Sequence, residues 1–505
     1  MTRFVVIGGG MSGLAAARML AGAAGVSDAA GTRDDSDGGR LDGAGTGDGS
    51  GSALVSVVLL EASGRLGGKV LTGSLAGGPV EIGPDQFLRR DPSAERLCRS
   101  LGLGDALVAP GAASAAVFAA SRPRQLPAGL LLGVPTDLDA LAASGIVGAE
   151  ALELARGDAD RSGPILEAGD VGLDRSEDPG RERSAGEVLR PRLGDESVDR
   201  LVDPMLGGIN ASGVDSLSLG TVAPQIAQLL VGRRDVIAPL AEAAPVAGKV
   251  RESPFLGLVG GLGRMVARLE DELGPLGCDV RLGCPALKVS LASAGTGYVV
   301  DTPAGPLDAD GIVLAVPADL AARLLADIAP EAARLLAEIA YASVAVVTYS
   351  FDQDVPAVLE GWSGVLVPRR ERALTTAVTL LSQKWPWTAS SSAARAIVRV
   401  SAGRHGDARI ATMSDAELVV AIAGELAHFT GITATPNGCH VQRWDRAFPQ
   451  YAPGHAARIR GCRRRLAELR GVELAGASLG GIGIPACITS GERAAVALRR
   501  VAALS

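Results

Sequence analysis

Three glycines near the start of the 505-residue chain have a spacing that suits phosphate binding. Gly8, Gly10 and Gly13 form a G-x-G-x-x-G pattern directly after the apolar residues 4–7, and residues 14–20 are rich in the strong helix formers Ala, Leu and Met. In such a strand, turn and helix, the first glycine allows the tight turn, the second lets backbone approach a pyrophosphate, and the third lets the helix pack on the strand. The positive end of the helix faces the phosphate. We therefore predict a dinucleotide site, with an ordinary glycine-rich turn as the alternative.

Glu61 is the second candidate, because it ends a second apolar run at residues 55–60. An acidic residue at this place binds ribose hydroxyls and normally lies about 20 residues after the glycines. Here it lies 48 residues after Gly13 (61 − 13). Residues 22–52 consist mainly of Gly, Asp, Ala and Ser, so they cannot offset the entropy of ordering, and we predict a disordered insertion. The alternative is that Glu61 merely ends a strand.

Composition excludes several other classes of site. The net charge of −7 argues against a nucleic-acid partner. The six cysteines form no C-x-x-C pair and the four histidines are scattered, so we predict no metal site, no nucleophilic triad and the reduced thiols of a cytoplasmic protein. No run of eighteen apolar residues occurs, so no transmembrane segment is predicted, while peripheral contact with a membrane stays open.

Several longer stretches carry a family resemblance. EASGRLGGK (residues 61–69) and VEIGPDQFL (80–88) resemble the flavin-binding segments of the amine oxidase superfamily, in particular its protoporphyrinogen and coproporphyrinogen oxidases. LGGINA (206–211), LSQKWP (381–386), RWDRAFPQY (443–451) and LAGASLGGIGIPACITSG (474–491) extend the resemblance over nearly the whole chain. Within the family, the chain is most similar to the coproporphyrinogen III oxidases of Gram-positive bacteria.

The resemblance implies an α/β fold in three parts. A Rossmann-type FAD-binding domain is expected from the discontinuous segments 1–85, 236–317 and 441–505. A mostly helical domain is expected at 86–235 and a sheet-based substrate domain at 318–440, with LSQKWP as part of that sheet. Residues 157–184 are hydrophilic and are predicted to form a second mobile loop or a solvated helix face.

The residues expected to bind FAD follow from the glycine turn, from Glu61 and from the matched motifs. Ala286 is included because it stands where relatives contact the adenine through a peptide group. The closing motif is expected to present a helix N-terminus, near Pro485, to the flavin pyrimidine. The expected set is Gly8, Gly9, Gly10, Met11, Ser12, Gly13, Glu61, Ala62, Arg65, Gly68, Lys69, Glu81, Ile82, Gly83, Pro84, Ala286, Trp444, Ala477, Ile482, Gly483 and Ile484.

On the substrate side, the resemblance implies contacts from Gly208, Ile209 and Asn210, although the family generally has an aromatic residue where this chain has Asn210. A substrate with four carboxylates also requires basic groups. Lys69, Arg89 and Arg443 are the candidates, with solvated surface charges as the alternative and contact with the cofactor alone as a further alternative for Lys69. No residue is assigned a catalytic role, because the cofactor carries the redox chemistry.

The implied reaction removes six electrons and six hydrogens from a porphyrinogen in haem biosynthesis, with dioxygen as the acceptor. The implied partners are the porphyrinogen, dioxygen and other enzymes of that pathway. Coproporphyrinogen III is favoured over protoporphyrinogen IX, because no strong apolar helix face for membrane docking is evident and Lys69 follows the glycine pair. A flavin amine oxidase or a carotenoid-type desaturase would share the first and last motifs but not LGGINA and LSQKWP. A flavin-binding protein without catalytic activity is the non-enzymatic alternative.

Overall fold

The computed structural model of the protein describes residues 2–22, 55–112, 114–171, 182–243, 253–293 and 297–503. Its strands are β1 (Thr2–Ile7), β2 (Val55–Leu60), β3 (Thr72–Leu75), β4 (Gly78–Glu81), β5 (Phe87–Leu88), β6 (Leu107–Val108), β7 (Ser114–Ala119), β8 (Arg122–Gln125), β9 (Leu130–Leu131), β10 (Val134–Pro135), β11 (Phe255–Leu258), β12 (Cys278–Arg281), β13 (Lys288–Leu291), β14 (Tyr298–Thr302), β15 (Gly305–Ala309), β16 (Gly311–Leu314), β17 (Tyr341–Phe351), β18 (Trp362–Leu366), β19 (Thr375–Leu380), β20 (Ala396–Ala402), β21 (Gly438–Pro449) and β22 (Val472–Leu474).

The α-helices are α1 (Met11–Gly22), α2 (Ser93–Ser100), α3 (Leu138–Ser144), α4 (Ala149–Arg156), α5 (Ala185–Ser197), α6 (Leu219–Val222), α7 (Pro224–Leu230), α8 (Ile237–Ala243), α9 (Gly263–Leu273), α10 (Ala318–Leu325), α11 (Pro330–Ala337), α12 (Leu381–Lys384), α13 (Pro386–Ser390), α14 (Arg409–Thr412), α15 (Asp415–Thr430), α16 (His455–Leu466) and α17 (Ile484–Ala503). A π-helical segment, Val198–Gly207, continues directly from α5.

A five-stranded parallel sheet carries the first glycine turn. Its strand order is β12-β2-β1-β16-β22, so strands from distant parts of the chain lie side by side. Along β1, Phe4 and Val6 pack with α1, α9 and α17, whereas Val5 and Ile7 pack with α10, α11 and α16 on the other face. Both faces are therefore covered, as the continuous apolar run predicted. The prediction of an α/β fold with a discontinuous dinucleotide-binding domain is confirmed.

A second sheet of seven strands lies beside the first, in the order β21-β17-β20-β19-β18-β7-β8. All its neighbouring pairs are antiparallel except β18 and β7. One face packs against α15, which begins with a capping box formed by Ser414 and Glu417. The π-helical segment and α5 to α8 form a separate apolar core next to this sheet.

Strand pairing and packing depart from the expected domain boundaries at four places. The strands β7 and β8 belong to the seven-stranded sheet, although residues 86–235 were expected to be mostly helical. The helix α8 packs with the helical core, whereas α10 and α11 pack on the parallel sheet. The strand β21 continues past residue 441 and stays in the second sheet. These partners are distant in the chain, so local sequence patterns could not show them.

Two further expectations concern single segments. LSQKWP does not form a strand: α12 covers Leu381–Lys384 and α13 starts at Pro386, where proline suits the first helical turn. The predicted disordered insertion lies outside the described residues except for Gly22, which ends α1. Of the predicted loop at 157–184, residues 172–181 lie outside the described residues, and short 3₁₀ helices at Gly157–Asp160 and Ala168–Val171 precede them.

In the ranges that the structure describes, no helix has both the length and the apolar character needed to cross a bilayer.

Candidate functional site

The turn between β1 and α1 shows why each of its glycines is needed. A β-carbon on Gly13 would lie 1.8 Å from the Gly8 carbonyl oxygen, so only glycine lets α1 pack this closely. Gly8 has φ +106°, and a β-carbon there would lie 2.5 Å from the carbonyl oxygen of Ala315. A β-carbon on Gly10, by contrast, would meet no protein atom within 4 Å. Gly10 therefore borders open space at the N-terminal end of α1, where the backbone can approach a pyrophosphate.

The second glycine pair closes on the same turn. Gly67 N–H donates to the Gly9 carbonyl at 2.8 Å, and Gly67 and Gly10 form a parallel bridge. A β-carbon on Gly68 would lie 3.2 Å from the Cα of Gly10. The Arg65 guanidinium donates to the carbonyls of Leu66 at 3.1 Å and of Gly68 at 2.6 Å, which holds this loop in shape. Two motifs separated in the sequence thus form one cradle.

Glu61 lies at the carboxyl end of β2, beside this cradle. Its carboxylate accepts hydrogen bonds from Gly9 N–H at 2.7 Å and from the Ser63 N–H and hydroxyl, each at 2.7 Å. Each carboxylate oxygen can accept more than one hydrogen bond, so ribose hydroxyls can still be bound. The Glu61 carbonyl accepts from Cys284 N–H at 2.9 Å, two residues before the buried Ala286. The loop expected near the adenine therefore adjoins the loop expected near the ribose.

The segment at residues 81–84 lies against the end of the glycine pair. A β-carbon on Gly83 would lie 2.0 Å from the Lys69 carbonyl oxygen, so glycine is needed for this contact. Glu81 is 2% exposed, and its carboxylate accepts from the Leu262 N–H and, at 2.9 Å, from the Thr72 hydroxyl. Burial raises the pKa of Glu81 to about 7. Its carboxylate therefore joins β4 to the start of α9, and the cofactor contacts expected from residues 81–84 stay predictions.

Lys69 and the closing motif lie near the open space at Gly10, which we call the cleft. Lys69 is exposed to solvent, yet the surrounding protein lowers the pKa of its ammonium group and Cys487 opposes that effect. Both observations hold for a side chain that is flanked by protein on one side and open to solvent on the other. The half-buried Cys487 thiol donates to the Gly481 carbonyl at 3.9 Å, and a β-carbon on Gly491 would lie 2.0 Å from the Ser12 carbonyl oxygen. The N-terminal parts of α17 and α1 therefore lie together, and the expected contact of the α17 N-terminus with the flavin stays a prediction.

A buried ionic cluster behind the cleft was missed by the sequence analysis. The Asp85 carboxylate accepts from Lys384 Nζ at 2.6 Å, from Arg399 at 2.8 Å and from Trp385 Nε1 at 2.9 Å. Arg399 also donates to the Gly83 carbonyl at 2.9 Å. Burial raises the pKa of Asp85, but Arg399 and Lys384 outweigh it and hold that pKa well below its usual range. The cluster joins the segment beside the cleft to α12 and β20. Asp85 stands in VEIGPDQFL and Lys384 in LSQKWP, but nothing in the sequence indicated that these two residues meet.

The turn after the π-helical segment borders the substrate side. Ile209 is 53% exposed, and a β-carbon on Gly208 would meet nothing within 4 Å. Asn210 differs from the expectation that it faces the substrate: it is 4% exposed, and its side chain donates to the Leu206 carbonyl at 2.9 Å. Because the Asn210 amide is buried and bonded to a carbonyl near the end of the π-helical segment, it is not available to a ligand. The substrate contacts expected from Gly208 and Ile209 stay predictions.

The RWDRAFPQY motif connects this turn to the closing motif. Gln450 donates from its amide to the Asn210 carbonyl at 3.2 Å, and the hydroxyl of Tyr451 donates to the Ala477 carbonyl. The half-buried Trp444 lies on β21, paired with Val344 of β17. The turn at Gly208 is thus tied to the segment expected beside the flavin.

Two of the three basic candidates for the substrate carboxylates are engaged elsewhere. The Arg443 guanidinium donates to Asp415 at 2.7 Å and to the carbonyls of Ile410 and Met413 at 2.6 and 2.7 Å, so its predicted role as a carboxylate ligand is wrong. The Arg89 guanidinium is paired with Glu95 at 3.1 Å. Lys69, which lines the cleft, remains.

A parallel sheet with this double glycine cradle, next to a separate mixed sheet, defines the class of flavin-dependent oxidoreductases. The family model for flavin-containing amine oxidoreductases matches residues 11–499, and the chain belongs to this family. It is an FAD-dependent oxidoreductase, as the sequence predicted. The open space at Gly10, the cradle around it and Glu61 fit FAD, with the remaining expected residues still predictions.

Two relatives and one solved structure are similar to this chain over most of its length. The chain is 33% identical, over 98% of both chains, to a coproporphyrinogen III oxidase of Mycobacterium leprae. It is 30% identical to a coproporphyrinogen III oxidase of Bacillus subtilis, over 87% of this chain and 91% of that one. A solved structure from Exiguobacterium sp. 255-15, provisionally named a protoporphyrinogen oxidase, superimposes with a TM-score of 0.78 at 29% identity and covers 100% of this chain and 98% of that one.

Proposed function

We propose that the protein oxidises coproporphyrinogen III to coproporphyrin III in haem biosynthesis. The observation that carries this proposal is the 33% identity to a coproporphyrinogen III oxidase over 98% of both chains. The geometry supports it, because the open turn at Gly208 and Ile209 is tied through Gln450 and Tyr451 to the motif beside the cofactor cradle. A macrocycle lying between the seven-stranded sheet and the helical core can reach both.

The proposed reaction removes six electrons and six hydrogens from the porphyrinogen, and three dioxygen molecules become three hydrogen peroxide molecules. When bound, FAD supplies the redox chemistry. The chain itself would bind and orient the cofactor: the double glycine cradle would hold the pyrophosphate, and Glu61 would hold the ribose. Lys69 adds positive charge to the cleft wall, and the N-terminus of α17 favours negative charge at the end of the cleft. The Asp85 cluster keeps the cofactor segment and the substrate sheet in one relative position.

The second candidate substrate is protoporphyrinogen IX, which the name of the Exiguobacterium structure favours. Purified holoprotein incubated with each porphyrinogen, with porphyrin fluorescence as the readout, separates the two. We expect a higher kcat/KM for coproporphyrinogen III and three dioxygen molecules consumed per porphyrin formed. Faster turnover of protoporphyrinogen IX at every ionic strength would overturn the proposal in favour of this second substrate.

We also propose that the protein acts in the cytoplasm. All six cysteines are free thiols, as expected in a reducing compartment. Fractionation of cells that express the full chain tests this location. Recovery with the membrane fraction, at an ionic strength that releases peripheral proteins, would contradict it.

A further inference from the structure

A crevice lies between the end of the π-helical segment and the loop that joins β18 to β19. Its walls include Asp203 and Gly208 from the helical side, and Val367 and Arg404 from the sheet side. Gly208 belongs to the open turn that is expected to face the substrate. The crevice therefore adjoins the proposed substrate site and is not part of the cofactor cradle.

Arg404 brings an incompletely satisfied guanidinium to this crevice. One of its terminal nitrogens donates to the Thr375 carbonyl at 3.2 Å. Its Nε–H is buried and finds no acceptor within the described ranges of the chain. A buried donor without an acceptor is costly, so a ligand oxygen that reached it would gain a strong charge-assisted bond.

Arg369 stands at the rim of the same crevice. Its guanidinium lies against the backbone of Gly213: a β-carbon on this glycine would lie 2.7 Å from the guanidinium carbon. Arg369 is exposed, and no hydrogen bond or ion pair of its side chain is found in the part of the chain that the structure describes. Its planar set of donors is therefore available, in the geometry that suits a carboxylate.

Asp203 lies near both arginines without neutralising them. Its carboxylate accepts from Val214 N–H at 3.0 Å, and no salt bridge joins it to Arg369 or Arg404 among the described residues. Burial raises the pKa of Asp203, whereas Arg369 and Arg404 lower it. Asp407 also acts on Arg404 but is itself paired with Arg409 at 2.6 Å. Three guanidinium groups and two carboxylates therefore leave a net positive charge around the crevice.

We propose that Arg369 and Arg404 bind one of the two carboxylates that coproporphyrinogen has and protoporphyrinogen lacks, and that they thereby set the preference for the four-carboxylate substrate. This inference rests on the proposed function. The arginines at the crevice would thus bind a substrate carboxylate, the role that was expected of Arg443. The crevice has a volume of about 10 Å³, which is room for one carboxylate oxygen. The macrocycle therefore lies over the open turn at Gly208, and the propionate stays at the mouth of the crevice, against Arg369.

The test compares Arg369→Met with Arg370→Met in the purified holoprotein. Arg370 is the next residue in the chain and is also exposed, so its replacement changes the net charge equally. Unlike Arg369, it is not among the charged groups that act on Asp203 and Arg404. For Arg369→Met we expect KM for coproporphyrinogen III to rise at least about fivefold, which corresponds to about 1 kcal/mol. We expect kcat, FAD content and KM for protoporphyrinogen IX to stay within about twofold of the wild type. Arg370→Met should leave all four quantities unchanged.

Binding of coproporphyrin III, the stable tetracarboxylate product, gives a readout independent of turnover. Quenching of tryptophan fluorescence should give a Kd raised about fivefold or more in Arg369→Met and Arg404→Met, but not in Arg370→Met. Equal behaviour of Arg369→Met and Arg370→Met, or equal rises in KM for both porphyrinogens, would overturn the inference. Arg369 is exposed and unpaired among the described residues, so we expect Arg369→Met to fold. It therefore tests the inference even if Arg404→Met fails to fold. A wild-type preference for protoporphyrinogen IX would instead contradict the proposed function, whatever the variants do.

Discussion

Replacing Asp85 by asparagine should destabilise the fold far more than its single charge suggests. The carboxylate holds three donors at 2.6 to 2.9 Å, and the side chains of Asp85, Arg399 and Lys384 are only 8%, 9% and 11% exposed. Asp85→Asn leaves two buried cations facing each other without their anion. Removing one partner of a buried ion pair costs about 3–5 kcal/mol, and we expect the free energy of unfolding to fall by that amount.

The assay is urea denaturation followed by tryptophan fluorescence, because Trp385 belongs to the cluster. The matched control is Asp415→Asn, which breaks the pair with Arg443 where Asp415 is 63% exposed. For this exposed pair we expect a loss of only about 0.2–1 kcal/mol. If the two variants lost the same stability, the reasoning about buried charge would be refuted.

The pH dependence of the Asp85→Asn deficit has a definite sign. In the wild type the pKa of Asp85 is held well below its usual range, so its contribution is present above about pH 4 and is lost only in stronger acid. Burial already lowers the pKa of Lys384, and Asp85 opposes that shift. Without Asp85 the lysine pKa falls further, so the unfolded state binds more protons and stability rises with pH. The deficit at pH 9 should therefore be smaller than at pH 7.

Three further outcomes are expected. Gly10→Leu should fold, since its side chain meets no protein atom nearby, but should lose FAD; retention of flavin absorbance at 450 nm would contradict the cradle. The pKa of Glu81 is raised to about 7 from 4.5, so its stabilising effect is present below pH 4.5 and is lost as pH rises through 7, by about 3 kcal/mol in all. Glu81→Gln should remove this slope from the pH profile of the free energy of unfolding. An unchanged slope would contradict the assignment to Glu81. Lys69→Met should raise KM for coproporphyrinogen III more than for protoporphyrinogen IX with FAD retained, whereas lower FAD occupancy would show that Lys69 serves the cofactor alone.

The sequence by itself determined the features that depend on neighbouring residues. The roles of Gly8 and Gly13, the strand before them and the helix after them follow from local spacing, and the structure agrees with each. The helix α17 also begins where the closing motif placed it, at Ile484. Such features need only a few consecutive residues, because backbone geometry and side-chain periodicity act over that range.

Tertiary structure alone decided which charges meet. Asp85 and Arg399 are separated by 314 residues in the chain, and no local pattern announces their pairing. The same holds for Arg443, whose partners withdraw it from the substrate. It holds also for Arg369, which lies beside the crevice only because the loop after β18 packs against the turn at Gly213. Asn210 looked like a ligand by its place in a motif, but the helix end beside it takes its amide. A side chain's type shows which bonds it can make, whereas the packing of distant segments decides which of them it makes.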